Sequence, residues 1–194
     1  MKNIYFLSDA HLGSWAIEHG RMHERRLVRF LDSIKHKAAA VYLLGDIFDF
    51  WYEYRYVVPR GFTRFLGKLS ELTDMGVEVH FFTGNHDIWA YDYLERECGV
   101  TLHKQPLTTE IYGKIFFMAH GDGLGDPDKK FKALRAIFRN RVCQVMFSSL
   151  HPQKRKYGRR QHHRQPHRQI FDAFRQSSGF NQRLHLVQCI MEDL

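Results

Sequence analysis

The sequence predicts an α/β protein in which parallel strands alternate with helices. Short apolar segments of strand length recur up to Phe82, and segments with helical periodicity lie between them. Strands that alternate with helices in this way form parallel sheets with crossover connections. A strand–turn–strand pattern after residue 106 further predicts a hairpin that begins a second sheet.

The predicted strands of the first sheet are short, apolar and followed at once by polar residues. They cover residues 4–8, 41–44 and 77–82. Short apolar runs bounded by glycine and polar residues are typical of buried strands. We therefore expect these three strands to share one parallel sheet.

Three helices are predicted in the same part of the chain. Apolar residues recur at i, i+3, i+4 and i+7 over Leu27–Ile34, and a similar stripe runs over Phe62–Leu72. This spacing places the apolar side chains on one face of each helix. A third helix is predicted to carry Trp89, Tyr91 and Leu94.

The hairpin is predicted from a tight turn at Tyr112-Gly113-Lys114 between two apolar segments. Beyond Pro127 the pattern is again helical, with Lys and Arg concentrated on one side. The sequence contains neither an apolar stretch of 18 residues nor a secretory signal, and its three cysteines are dispersed. These features favour a cytoplasmic protein with reduced thiols.

The net charge of +8 comes mainly from the C-terminal segment. Nine of the 29 Lys and Arg residues lie after position 151, together with only three of the 21 Asp and Glu residues. A nucleic-acid or anionic-surface function inferred from charge would therefore apply only to residues 152–194. We do not expect specific binding of nucleic acid.

Polar motifs stand where four predicted strands end. They are Asp9-Ala10-His11, Gly45-Asp46-Ile47-Phe48-Asp49, Gly84-Asn85-His86-Asp87 and His120-Gly121-Asp122. Each motif alone has a structural explanation, because Asp commonly caps helices and Gly, Asn and Asp commonly form turns. Ligand sites of α/β sheets lie beyond the carboxyl ends of the strands, so we expect the four motifs to converge.

The mixture of carboxylate, imidazole and amide groups predicts the kind of ligand. This set suits manganese, iron or zinc better than calcium, which prefers oxygen ligands alone. A central carboxylate such as Asp46 can bridge two ions. Two ions about 3.5–4 Å apart can stabilise the attacking and leaving oxygens of a phosphoryl displacement.

In this order D-x-H, G-D-x-x-[DE], G-N-H-D and H-G-D resemble the calcineurin-like metallophosphoesterase superfamily. The flanking sequences "YLLGDIFDFW" and "FFTGNHDIW" are most similar to the family of UDP-2,3-diacylglucosamine pyrophosphatases of lipid A biosynthesis. The resemblance implies an αββα sandwich and a bacterial enzyme that hydrolyses UDP-2,3-diacylglucosamine to UMP and lipid X. A general phosphodiesterase of the same superfamily is the alternative enzyme.

The resemblance also implies the metal ligands, position by position. Asp9 and His11 would bind one ion, Asp46 would bridge, and Asn85 and His120 would bind the other. The two ions are expected to be manganese, with iron or zinc as alternatives.

The remaining site residues follow from the same resemblance. His86 corresponds to a general acid or transition-state-stabilising histidine of the superfamily, although the best-studied pyrophosphatases have arginine there. We expect His86 and Asp87 to be catalytic, with Asp87 on the other nitrogen of the His86 ring. Asn85, His86, Asp128 and Phe131 are expected to contact the substrate.

The resemblance covers residues 1–151 and implies a metallophosphoesterase domain whose helical lid begins within residues 126–151. The lid would hold the lipid chains of the lipid-linked UDP-sugar substrate and contact the inner membrane peripherally. A solvated helix face that covers the core is the other interpretation. Residues 152–194 form a basic tail rich in Gln and His. Oligomeric state is not predicted.

The superfamily pattern ends in G-H-x-H, and this sequence does not contain that motif. We therefore expect an incomplete second sheet and reduced metal occupancy. His162, His163 and His167 lie in an arginine-rich stretch that repels cations, which disfavours them as replacements. The change of composition favours a shifted reading frame or an altered terminus. Absence of a G-H-x-H motif from the gene's other reading frames just past codon 153 would contradict this hypothesis. An impaired metal-binding remnant whose tail binds anions nonspecifically is the non-enzymatic alternative.

Overall fold

The computed structural model describes residues 2–14, 16–17, 19–121 and 140–148. Its described residues fall into two units, one up to residue 121 and the other at 140–148. The predicted domain boundary after residue 151 and the tail that follows it lie outside the described residues. Within the described part of the chain, no helix is long and apolar enough to cross a membrane.

A parallel sheet of four strands occupies the first unit. Its strands, in spatial order, are β1 (Asn3–Leu7), β2 (Ala38–Leu44), β3 (Glu78–Phe82) and β4 (Thr101–His103). Every neighbouring pair is parallel. The three predicted strands are confirmed, whereas β4 was not predicted because its three residues are too few to show a periodicity.

Two of the predicted helices are confirmed, and they cover one face of the sheet. They are α1 (Gly20–Ile34) and α2 (Thr63–Asp74). Leu31 and Leu69 pack with Leu43 and Phe81 in one hydrophobic cluster, and all four side chains are fully buried. Burial of such apolar residues supplies the main favourable term in folding.

The third helix, α3 (Tyr93–Cys98), begins later than predicted. Trp89 instead forms an isolated bridge with Tyr52. A residue outside the helix fixes the start of α3. The buried Glu53 carboxylate accepts hydrogen bonds from the backbone N–H groups of Tyr91, Asp92 and Tyr93. A carboxylate from a distant loop thus satisfies N–H groups that a helix start leaves without intrahelical partners.

The predicted hairpin is confirmed and covers the opposite face of the sheet. Strands β5 (Leu107–Ile111) and β6 (Lys114–Met118) are antiparallel, and the turn residues Tyr112 and Gly113 have φ values of 52° and 79°. Such positive values at both central residues suit the twist of a two-residue hairpin. Met118 packs with Tyr42 and other residues of the parallel sheet. The first unit therefore stacks a helical layer, the parallel sheet and the hairpin, in the order that an αββα sandwich begins.

The described part of the second unit is one helix, α4 (Arg141–Ser148). It confirms the helical pattern predicted beyond Pro127 for these eight residues. Val142, Val145 and Met146, at helical spacing, are each about two-thirds exposed. The rest of the predicted lid lies outside the described residues.

Candidate metal centre

The loops that follow β1, β2 and β3 meet at the carboxyl edge of the parallel sheet, as the sequence predicted. The Asp9 N–H donates to the Gly45 carbonyl at 3.1 Å, and the His11 N–H donates to the Asp46 carbonyl at 2.9 Å. The His86 N–H donates to Asp46 Oδ1 at 2.9 Å. Hydrogen bonds donated by backbone N–H groups therefore connect three of the four motifs directly.

The backbone of these loops is in an unusual conformation. Asp9, His11 and Asp46 have φ values of 53°, 43° and 52°. The left-handed region costs a non-glycine residue roughly 1–2 kcal/mol, so the surrounding contacts must hold it in place. Gly84 is needed for a different reason, because a Cβ there would overlap the carboxylate of Asp46.

The carboxylate of Asp46 lies at the centre of the site and is fully buried. Its Oδ2 faces three imidazoles, at 3.4 Å from His120 Nε2, 3.8 Å from His86 Nε2 and 3.9 Å from His11 Nε2. Among the residues that the structure describes, this oxygen has no hydrogen-bond partner. A buried carboxylate oxygen without a partner is costly, and a cation held between it and the imidazoles would satisfy it.

The imidazole tautomers fit the same interpretation. A carbonyl only accepts, so His86 Nδ1–H donates to the Asp49 carbonyl at 2.9 Å and His120 Nδ1–H donates to the Leu44 carbonyl at 3.0 Å. When these rings are neutral, each Nε2 therefore presents its lone pair toward Asp46. Backbone carbonyls commonly orient metal-binding histidines in this way.

Two groups of side chains share Asp46 and could each hold an ion. One consists of His11, Asp46 and His86, and the other of Asp9, Asp46 and His120; the ligand atoms of each group lie within 4.8 Å of one another. Asn85 Oδ1 lies 3.2 Å from His120 Nε2, as expected for two ligands of one ion. The residues present therefore fit a centre of two cations with a shared carboxylate.

The site's charges keep its carboxylates in the metal-binding form. Burial raises the pKa of Asp46, but the nearby imidazoles of His120 and His86 and the backbone N–H of His86 outweigh it and lower the pKa to about 2. Burial opposes the charged form of Asp9 too, yet nearby His11 and Ser8 lower its pKa below the usual value. For His11, burial is outweighed by neighbouring carboxylates, which raise its pKa.

Asp87 does not contact the His86 ring, so that expectation is wrong. Its carboxylate instead accepts the backbone N–H groups of Gly84 at 2.7 Å, Ile47 at 2.9 Å and Phe48 at 3.4 Å. Complete burial and the nearby Asp46 carboxylate raise the pKa of Asp87 to about 7, against the opposing effect of backbone N–H groups. Asp87 thus connects the loop after β2 to the loop after β3.

Two residues near the site were not among the predicted site residues. Asp49 is buried, and its Oδ1 lies 3.7 Å from His11 Nδ1; its place in the G-D-x-x-D motif could have indicated it. His23, on α1, contacts the Ala10 carbonyl, and no motif signalled it. Asp128 and Phe131, predicted to contact the substrate, lie outside the described residues.

A buried carboxylate shared by imidazole and carboxylate groups, at the carboxyl edge of a parallel sheet, defines a candidate dinuclear metal centre. The sequence profile of the calcineurin-like phosphoesterase family matches residues 2–182, and the chain belongs to this family. Membership implies binding of divalent metal, and the two groups around Asp46 supply candidate ligands.

Three relatives, all named UDP-2,3-diacylglucosamine hydrolase, are similar to most of this chain. The protein of Porphyromonas gingivalis is 50% identical over 150 residues, which cover 77% of this chain and 57% of the relative. That of Hahella chejuensis is 33% identical, covering 74% and 57%. A Neisseria meningitidis protein is 34% identical, covering 77% and 61%. The matched part of this chain thus spans less than two thirds of each relative.

Proposed function

We propose that this chain hydrolyses the pyrophosphate bond of UDP-2,3-diacylglucosamine to UMP and lipid X at a centre of two divalent metal ions. The observation that carries the proposal is the buried Asp46 carboxylate, whose Oδ2 faces three imidazole nitrogens at 3.4–3.9 Å. The substrate is taken from the names of the relatives, one of them 50% identical to this chain.

The side chains divide into two ligand sets around Asp46. The two groups favour Asp9 and His120 at one ion, with Asn85 beside His120, and His11 at the other. Asp9 Oδ1 also lies 3.8 Å from His11 Nε2, so the geometry accommodates the pairing of Asp9 with His11 that the resemblance implies. Manganese suits the mixed oxygen and nitrogen ligands, with iron or zinc as alternatives. When bound, such ions polarise the phosphoryl oxygens and activate a water molecule.

His86 has two candidate roles at this centre. Its Nε2 lies in the group that contains His11 and Asp46, which supports a role as ligand. Its predicted role as a proton donor or positive charge for the phosphate would use the same nitrogen, because Nδ1 is held by the Asp49 carbonyl. We therefore favour ligation by His86.

Asp87 is proposed to act through the backbone. It accepts N–H groups from both loops that carry Asp46 and Asn85, so its carboxylate fixes the separation of those loops. In this role Asp87 positions the ligands without touching the substrate.

We further propose that the enzyme works in the cytoplasm, in peripheral contact with the inner membrane. Peripheral contact with a membrane requires apolar surface, and Val142, Val145 and Met146 on α4 are each about two-thirds exposed. Basic residues surround this helix in the sequence, which suits an anionic surface.

A metal-dependent assay tests the proposal. Protein stripped of metal is incubated with UDP-2,3-diacylglucosamine in detergent micelles, with and without Mn²⁺, and UMP is measured by chromatography. We expect UMP only with metal, no UMP from Asp46→Asn, and normal release from Asp92→Asn, whose side chain is 56% exposed. UMP release without divalent metal, or release unchanged in Asp46→Asn, would contradict the proposal.

Two additions sharpen this assay. Equal turnover of a simple phosphodiester such as bis(p-nitrophenyl) phosphate would favour the general phosphodiesterase instead. His86→Arg places a positive charge at this position but cannot serve as an imidazole ligand. If His86 is a ligand, this variant needs more Mn²⁺ for half-maximal activity; an unchanged Mn²⁺ requirement would favour its role toward the phosphate.

A further inference from the structure

The peptide unit between Ala10 and His11 is held at both of its polar ends. Its N–H, on His11, donates to the Asp46 carbonyl at 2.9 Å. Its carbonyl, on Ala10, accepts a hydrogen bond from Nε2–H of His23 at 2.7 Å. His23 is half-buried on α1, so a helix outside the motifs contacts the middle of the first motif.

The orientation of this peptide plane matters because it sets the backbone of His11 and of Ala10, the residue that joins the two ligands Asp9 and His11. Rotation of the plane defines φ of His11, which is 43°, and Asp9, one residue before Ala10, has a φ of 53°. Residues in this region persist only where the surroundings over-determine their conformation. The N–H groups of Asp9, His11 and Leu12 all bond to the loop after β2. His23 adds a hydrogen bond of a different kind, because it lies on α1 and donates to the Ala10 carbonyl.

We propose that His23 is a positioning residue of the metal centre. Its Nε2–H fixes the Ala10–His11 peptide and thereby directs the side chains of Asp9 and His11 toward the Asp46 carboxylate. This inference rests on the metal centre of the proposed function. His23 acts through the backbone, as residues that orient metal ligands commonly do.

The alternative is that His23 only fills space between α1 and the loop. His23→Ala removes both the ring and the donor, whereas His23→Gln keeps an N–H donor on a side chain of similar reach. His36→Ala is the matched control, because His36 is exposed just beyond the end of α1. The three variants separate the hydrogen bond from ring volume and from the loss of a histidine.

Two measurements on these variants test the proposal. The first is hydrogen exchange of the His11 amide in the metal-free protein, followed by NMR. We expect His23→Ala to accelerate this exchange roughly tenfold, the effect of one lost hydrogen bond, while amides in the middle of β2 keep their rates. The second is the Mn²⁺ dissociation constant from calorimetry, which should rise roughly 10–100-fold, as for other residues that orient ligands.

His23→Gln should stay near wild type in both measurements, and His36→Ala should match wild type. Unchanged His11 exchange in His23→Ala, or His23→Gln as impaired as His23→Ala, would overturn the proposal. If His23→Ala does not fold, the comparison of His23→Gln with wild type decides. Faster His11 exchange or weaker Mn²⁺ binding in His23→Gln would then overturn the proposal. Failure of the wild-type protein to bind Mn²⁺ would contradict the proposed function, whereas the exchange measurement tests His23 without metal.

Discussion

Replacement of Asp87 by Asn tests whether this buried carboxylate holds the two central loops together. Its carboxylate accepts N–H groups from Gly84, Ile47 and Phe48. An Asn side chain has a single acceptor oxygen, and its NH₂ group would face a backbone donor. At pH 8.5, above the pKa of about 7, the wild-type carboxylate is ionised and accepts from both loops.

The magnitude follows from the two short hydrogen bonds, at 2.7 Å to Gly84 and 2.9 Å to Ile47. The amide oxygen can keep one of them, so at least one buried N–H loses its partner. An unsatisfied buried donor costs about 1–3 kcal/mol. A loss of about 2 kcal/mol would lower the melting temperature of a chain of this size by roughly 4–8 °C.

The assay is urea unfolding of the metal-free protein at pH 8.5, with Asp92→Asn as the exposed control. A free energy of unfolding for Asp87→Asn equal to that of the control would refute the reasoning. Turnover supplies a second test, because a positioning role predicts that saturating Mn²⁺ restores much of the activity. A fully stable Asp87→Asn that binds Mn²⁺ normally but does not turn over would instead show that Asp87 transfers protons.

Two further predictions use the glycines and the surface charges. In Gly84→Ala the new Cβ would lie 2.6 Å from the backbone nitrogen of Asp46, so we expect Mn²⁺ affinity to fall at least tenfold; Gly67→Ala on α2 meets nothing within 4 Å and should gain about 0.5–1 kcal/mol. Equal Mn²⁺ affinities of these two variants would contradict the close approach. Hydrogen bonds from Lys68 and Lys35 lower the pKa of Asp32 to about 2. Because the folded pKa is lowered, this stabilisation is present above pH 4 and is lost as the pH falls toward 2. Acid unfolding should therefore be less steep in Asp32→Asn, and identical acid titrations would refute it.

The convergence of the four motifs could be predicted from sequence because it depends on local rules. Short apolar strands alternate with helices, parallel strands end at one edge, and the polar residues follow them directly. Asp46 as the shared carboxylate follows from the same topology, since β2 lies between β1 and β3. Those inferences need no knowledge of side-chain orientation.

The contacts that depend on distant parts of the chain could not be predicted. The start of α3 is set by Glu53, about 40 residues earlier. The periodicity of apolar residues does not predict that contact. His23 has the spacing of any polar residue on α1, so its hydrogen bond to Ala10 becomes visible only when the helix is packed.

The orientation of the His86 ring could not be predicted from the sequence either. The motif G-N-H-D places His86 beside the site but does not tell which nitrogen faces Asp46. The Asp49 carbonyl decides this by accepting Nδ1–H. The partners of Asp87 are backbone N–H groups. Every residue but proline has such a group, so the identities of nearby residues do not reveal these partners. The neighbouring His86 imidazole was therefore the only partner that residue type suggested.

Titration of the metal-free protein with Mn²⁺, with free ion counted by electron paramagnetic resonance, tests the central claim most directly. The Asp46 carboxylate is the ligand common to both groups of side chains. We predict saturable binding that Asp46→Asn abolishes and Asp92→Asn leaves unchanged. Mn²⁺ binding of equal affinity and stoichiometry in Asp46→Asn would contradict a metal centre built around this carboxylate.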